Sequence, residues 1–195
     1  MNAEIELAFA SAAALATWLH TQQIDTTAWG SGAAKQVADL WQELVTGESS
    51  LQADPPLRCV QVVEVYVEQA GLLLVETAQH FVDGRVRERK RPPSEKMKPG
   101  ETPLAAAQRC LVEELAIDKA QLTLADPHIS ERTTLAESGS YPGLTTAYTF
   151  YRVQLQVADL PMAPFQTVNA AHGQGDPVTA HQWAWLPRSD FCATP

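Results

Sequence analysis

The sequence contains only three cysteines, Cys59, Cys110 and Cys192, and none stands at a spacing used by metal-binding cysteine pairs. Three thiols cannot all pair within one chain, so no disulfide framework is expected, and a reducing, cytoplasmic compartment is the default. Nowhere do eighteen apolar residues run together, which leaves no segment able to span a bilayer as a helix and predicts no membrane partner. The alanine-rich stretch from Ala8 to Leu19 has no basic segment before it. Glu4 and Glu6 stand there instead, so it reads as an ordinary helix and not as a signal peptide. Positive charge is also scarce: 14 Lys and Arg face 23 Asp and Glu, for a net charge of −9. Such an average field repels the phosphate backbone and argues against general nucleic-acid binding.

The few cations are not evenly spread. Arg85, Arg87, Arg89, Lys90, Arg91, Lys96 and Lys98 are seven of the fourteen and fall within residues 85–98. If Val86 and Glu88 alternate with the arginines on a strand, Arg85, Arg87 and Arg89 share one face. Two readings stand: a solvated edge strand whose charges discourage aggregation, or a rim that holds an anionic, phosphate-bearing substrate beside an otherwise acidic protein.

With 195 residues, the chain can form one well-buried domain and a modest extension. Residues 1–54 read as a separate helical extension. Ile5, Phe9, Ala12, Ala16 and Leu19 follow helical spacing, and Val37, Leu40, Trp41, Leu44 and Val45 do so again. Asp54-Pro55-Pro56 then stops any helix. Trp29 and Trp41 are assigned either to core packing or to substrate recognition. From Leu57 the pattern turns to strands: a Val- and Tyr-rich run over 58–67, a hairpin turn at Ala70-Gly71, a strand over 72–79, and a second turn at Val82-Asp83-Gly84. Tyr141-Pro142-Gly143 reads as another turn before a strand to Val157. Residues 160–178, with His172 and Asp176, read as a long irregular connection, either a binding loop or a surface excursion. His181 to Pro187 reads as a last strand followed by a short helical turn, and His80, His128 and His181 show no metal-cluster spacing. Tyr141, Tyr148, Phe150 and Tyr151 are assigned to the core rather than to base stacking. Strands, one helix, further strands and a closing element make an α+β layered domain over 55–195.

The most informative run is residues 100–117. Thr102 can cap a helix by accepting from a free backbone N–H, and Pro103 at the first helical position gives up only a donor the helix could not use. Leu104, Ala107, Leu111 and Leu115 recur as a buried stripe. Glu113 and Glu114 project from another side, one turn beyond position 110. Oxygen ligands on one helix face, beside the turn at Gly100, suit a hard divalent cation that carries substrate phosphates.

At these residues the chain resembles the Nudix hydrolases, enzymes that cut a diphosphate linked to some other group. The family pattern is Gly, five residues, Glu, seven residues, Arg-Glu, a bulky aliphatic, any residue, Glu-Glu, any residue, Gly, aliphatic. It lies over residues 95–117. Glu101, Arg109, Leu111, Glu113, Glu114 and Ile117 match, while Glu95, Cys110 and Ala116 replace Gly, Glu and Gly. The resemblance implies the Nudix fold, a mixed β-sheet between helices, over roughly residues 57–190. It also implies cleavage of a phosphoanhydride in a nucleoside diphosphate-linked or related small molecule, with Mg²⁺ or Mn²⁺. Glu101, Arg109, Glu113 and Glu114 are the implied catalytic residues, and Glu113 and Glu114 the implied metal ligands. Glu95 brings an added carboxylate that can replace the one missing at position 110. Arg85, Arg87, Arg89, Lys96 and Lys98 are candidates to hold the substrate. Cys110 takes the place of a metal-binding glutamate often described as the general base, and a thiol is a poor partner for Mg²⁺. A second class therefore stays open: a Nudix-fold module that binds a nucleotide or an RNA end without efficient turnover. Many proteins of the family are dimers, so a homodimer is compatible with this reading.

Overall fold

A computed structural model describes residues 8–170, 172 and 177–191. Ile5, Asp176 and Cys192 lie outside the described residues. The chain divides into two compact units: one formed by the residues up to Val62 with Lys96–Gly100 and Glu131–Phe150, the other by Val63–Glu95, Glu101–Ser130 and the residues from Tyr151 onward.

The first unit holds helices α1 (Ala12–Thr21) and α2 (Val37–Thr46), strand β1 (Ser50–Ala53) and the first half of β2 (Pro56–Gln69). It also takes the end of β6 (Leu122–Ser138) and the beginning of β7 (Tyr141–Val157). Strand β1 pairs antiparallel with β2, Leu51 opposite Arg58. Helix α1 starts only after Ser11, whose hydroxyl accepts from the Ala14 N–H at 3.2 Å. Phe9 therefore precedes the helix, and the face turned inward carries Leu15 and Leu19, not Ala16 as the spacing from Phe9 implied. Leu15, Leu19, Leu40, Leu51, Tyr141 and Leu144 form one core, with Phe9, Trp18, Trp29 and Trp41 packed against it. The Trp29 indole donates to the Pro142 carbonyl at 2.9 Å and that of Trp41 to Phe9 at 3.0 Å, so both rings serve core packing. Tyr141-Pro142-Gly143 is not a turn. Strand β7 already begins at Tyr141 because Tyr141 and Leu144 are needed in the core, and the reversal falls at Gly139-Ser140.

In the second unit β3 (Leu72–Phe81) is the central strand, buried on both faces through Leu73, Leu74 and Val75. The later half of β2 reaches it through the predicted hairpin at Ala70-Gly71, where both residues have positive φ (51° and 77°) and Glu68 faces Leu73. Strand β4 (Val86–Arg91) and strand β9 (Val178–Pro187) pair antiparallel with β3, and β8 (Phe165–Val168) pairs with β9. Strand β8 shows that residues 160–178 are not wholly irregular, and β9 begins at Val178, before the predicted start at His181. A 3₁₀ turn over Arg188–Asp190 follows β9 as expected. Strand β5 (Ser94–Lys96) leads into the loop before helix α3 (Pro103–Leu115). The class is α+β, and among the described residues no helix is long and apolar enough to cross a membrane.

Candidate active site

Helix α3 forms where the sequence places it. The Thr102 hydroxyl accepts from the Ala105 N–H at 3.2 Å, and Pro103 occupies the first turn. Ala106, Ala107, Cys110, Leu111, Glu114 and Leu115 are buried; Leu104, expected in the stripe, is only half-buried. The helix ends on Ala116 in the left-handed conformation (φ 53°, ψ 39°), a backbone that glycine adopts more readily than alanine. On the sheet side, the Glu113 carbonyl accepts from the Ala170 N–H at 3.1 Å, and the Thr167 hydroxyl donates to the Glu114 carbonyl.

The two adjacent glutamates have different fates. Glu113 stays partly exposed, and Glu114 is 9% exposed. Arg109 clamps Glu101 in a bidentate pair, Nε to Oε1 and Nη2 to Oε2 both at 3.0 Å, and reaches Glu113 at 3.4 Å. Burial works against the Arg109 guanidinium, but the hydrogen bonds and charge of Glu101, with the charges of Glu95 and Glu113, raise its pKa above the usual value. The arginine thus holds two carboxylates in fixed orientation and is permanently charged.

Glu114 has no such partner. Its Oε2 is buried and makes no hydrogen bond. Burial pushes its carboxyl well above the ordinary range, and the neighbouring charges of Glu76 and Glu95 push it further; Arg89 and a hydrogen bond from the Cys110 thiol oppose them only in part. Cys110 is fully buried, and burial together with Glu114 and Glu95 drives its thiol well above the usual value. A neutral thiol in this place supplies neither a hard ligand nor a base.

Glu76 escaped the sequence reading, and His181 entered it only as a histidine without metal-cluster spacing. Glu76 on β3 is buried and sits between Arg89, whose Nη1 is 2.9 Å from Oε2, and His181, whose Nδ1 is 2.6 Å from Oε1. The His181 ring stacks on Trp183, and its Nε2 is buried without a partner. The signal for Glu76 was a charged residue directly after the apolar run Leu72–Val75 in a strand buried on both faces.

Of the basic stretch, the arginine whose charge acts on Glu114 is Arg89. Arg87 bonds Gln79, Arg85 pairs with Asp83 at 2.6 Å, and both lie over the Phe81 ring. Burial, then repulsion from Arg89 and Arg91, pulls the Arg87 pKa down. Lys96 belongs to the first unit, where it meets Glu43 and Glu48, both at 3.4 Å; Lys98 in the same segment is exposed.

Among the described residues no three His, Cys, Asp or Glu side chains come close enough to form a metal cage. What the site offers instead is an orphaned, buried carboxylate oxygen on Glu114 with the Glu95 charge beside it. That donor set fits a hard cation held by one or two carboxylates and completed by substrate phosphate oxygens, the usual habit of Mg²⁺.

The family model of the NUDIX domain matches residues 55–194. Similar solved structures include a C. elegans Ap4A hydrolase (23% identity, 68% of this chain and 83% of that chain, TM-score 0.37). A NUDIX hydrolase from Nitrosomonas europaea (18%, 68% and 74%, TM-score 0.40) and the E. coli dihydroneopterin triphosphate pyrophosphohydrolase (20%, 68% and 82%, TM-score 0.37) are others. No curated protein matches the sequence. With the family pattern laid over α3 and the family match covering 55–194, the chain belongs to the Nudix hydrolase family and has its α+β fold, a mixed sheet with a few helices.

Proposed function

We propose that the chain hydrolyses a phosphoanhydride in a nucleoside diphosphate-linked or related small molecule, using a divalent cation, and does so weakly. The observation that carries this reading is Glu114: a buried carboxylate with an orphaned oxygen, kept among further negative charge, is unfavourable unless a cation arrives. Glu114, with Glu113 and Glu95, would hold Mg²⁺ or Mn²⁺. The ion would neutralise phosphate oxygens and make its bound water a nucleophile. Arg109 keeps Glu101 and Glu113 oriented. Arg89, with Arg85 and Arg87 on the same hairpin, would hold the anionic substrate. Water would add to phosphorus as the bridging P–O bond breaks, and its proton would leave to solvent, since the neutral Cys110 thiol offers no base at that position.

Cys110 favours a second reading, because a neutral buried thiol removes one carboxylate from the set: a module that binds a nucleotide or an RNA end without turnover. A release assay over nucleoside diphosphate derivatives with Mg²⁺ or Mn²⁺, paired with thermal shifts on the same compounds, separates the two. Product release selects the hydrolase, and stabilisation without release selects the module. Loss of neither signal on Glu114→Gln would remove Glu114 from both.

A further inference from the structure

The segment Lys96–Gly100, which runs from the last residue of β5 into the loop, joins Glu95 to Glu101 in sequence, and in the first unit α2 provides its seat. Lys96 Nζ lies 3.4 Å from Glu43 Oε1 and 3.4 Å from Glu48 Oε2. Gly47, the left-handed C-cap of α2 (φ +71°), faces Pro99 so closely that an added Cβ would stand 2.3 Å from Pro99 Cγ. The Met97 N–H donates to the Gln61 carbonyl at 3.0 Å and its side chain is buried, which fixes the start of the loop. Three independent contacts in succession thus set the path of a short segment whose two ends are carboxylate residues.

Glu43 is itself held from several sides. It is buried, it accepts from Lys35 at 2.7 Å and from the Tyr141 hydroxyl at 3.0 Å, and it pairs with the buried Arg58. Ser49 reaches its second oxygen at 3.4 Å. Its charge offsets the buried Arg58, and it also meets Lys96, the last residue of β5, where the chain enters the loop.

We propose that Glu43 is a positioning residue: through Lys96 it sets the path of residues 96–100, the segment that links Glu95 to Glu101. The consequence for metal binding rests on the hydrolase reading above. Lys96 is accordingly part of the loop's seat.

The test compares the full chain with Lys96→Met, Lys96→Arg and Glu43→Gln by amide hydrogen exchange over 97–102 and by calorimetric titration of Mn²⁺ alone. Lys96→Met should speed exchange in the loop about tenfold and weaken Mn²⁺ binding roughly tenfold, as loss of an orienting partner does. Its melting temperature should stay within about 4 °C of the parent, as for a part-exposed ion pair. Lys96→Arg should restore both readouts. Glu43→Gln should loosen the same amides, now with a lower melting temperature. Parent-like loop exchange in Lys96→Met overturns the proposal, and so does faster exchange with unchanged Mn²⁺ affinity. If the parent binds no Mn²⁺, the metal-dependent reading fails on its own, and the exchange measurement alone then decides whether Glu43 and Lys96 hold the loop.

Discussion

Each unit buries a glutamate on a helix, and the two have opposite surroundings. Glu43 on α2 is 5% exposed. Burial pushes its carboxyl up, but the Lys35 hydrogen bond and the charges of Arg58 and Lys96 outweigh that and hold it at about 2. Burial, and then the charge of the same carboxylate, raise the Tyr141 hydroxyl above its usual value. Glu114 on α3 is buried to nearly the same degree, yet its neighbours are Glu76 and Glu95, with Arg89 as a partial offset. A carboxylate met by several cations is a fastener. One left with an orphaned oxygen among like charges stores unfavourable electrostatics, which a bound cation would relieve.

The comparison breaks first under neutral isosteres. Glu43→Gln leaves Arg58 buried without its counter-charge, so a loss of about 3–5 kcal/mol is expected, or a melting temperature lower by roughly 10 °C. Glu114→Gln should leave the melting temperature unchanged or raise it. Equal losses from both, measured by thermal unfolding, would erase the distinction.

Acid sharpens it with opposite signs. The Glu43 carboxyl is depressed in the folded state, so its contribution is complete above the ordinary unfolded value and is lost as pH falls toward about 2. Its size is on the order of 3 kcal/mol. The gap between parent and Glu43→Gln should therefore close as pH falls from about 5 to 2. Glu114 is raised, so the native state keeps a proton the unfolded chain has released, and its penalty grows as pH climbs above the ordinary carboxylate range. Glu114→Gln should gain on the parent over that climb, and a flat difference would deny the raised value. A smaller effect tests α3 itself. Ala116→Gly, relieving the left-handed C-cap, should stabilise by about 1 kcal/mol, or roughly 3 °C, without changing either glutamate.

Much of α3 was legible in the sequence because its signals are local: the Thr102 cap, Pro103, and the spacing of Ala107, Leu111 and Leu115. The hairpin at Ala70-Gly71 was legible for the same reason. Glu76 and His181 were not, because their meeting depends on the β3–β9 register, with Gln79 opposite His181, and local spacing carries no register information. Glu43 was hidden in the apolar rhythm of α2, since a charged residue between Trp41 and Leu44 normally faces solvent. Its three cations come from positions 35, 58 and 96, which only the fold assembles. The stripe from Phe9 to Ala16 failed because Ser11 starts the helix later than periodicity indicates.

The central claim is that Glu114 is kept unsatisfied for a cation. Isothermal titration of Mn²⁺ into the parent, Glu114→Gln and Cys110→Glu tests it most directly. Binding by the parent, none by Glu114→Gln and tighter binding by Cys110→Glu is the result this account predicts. Equal Mn²⁺ affinity in all three, or none in any, would contradict it.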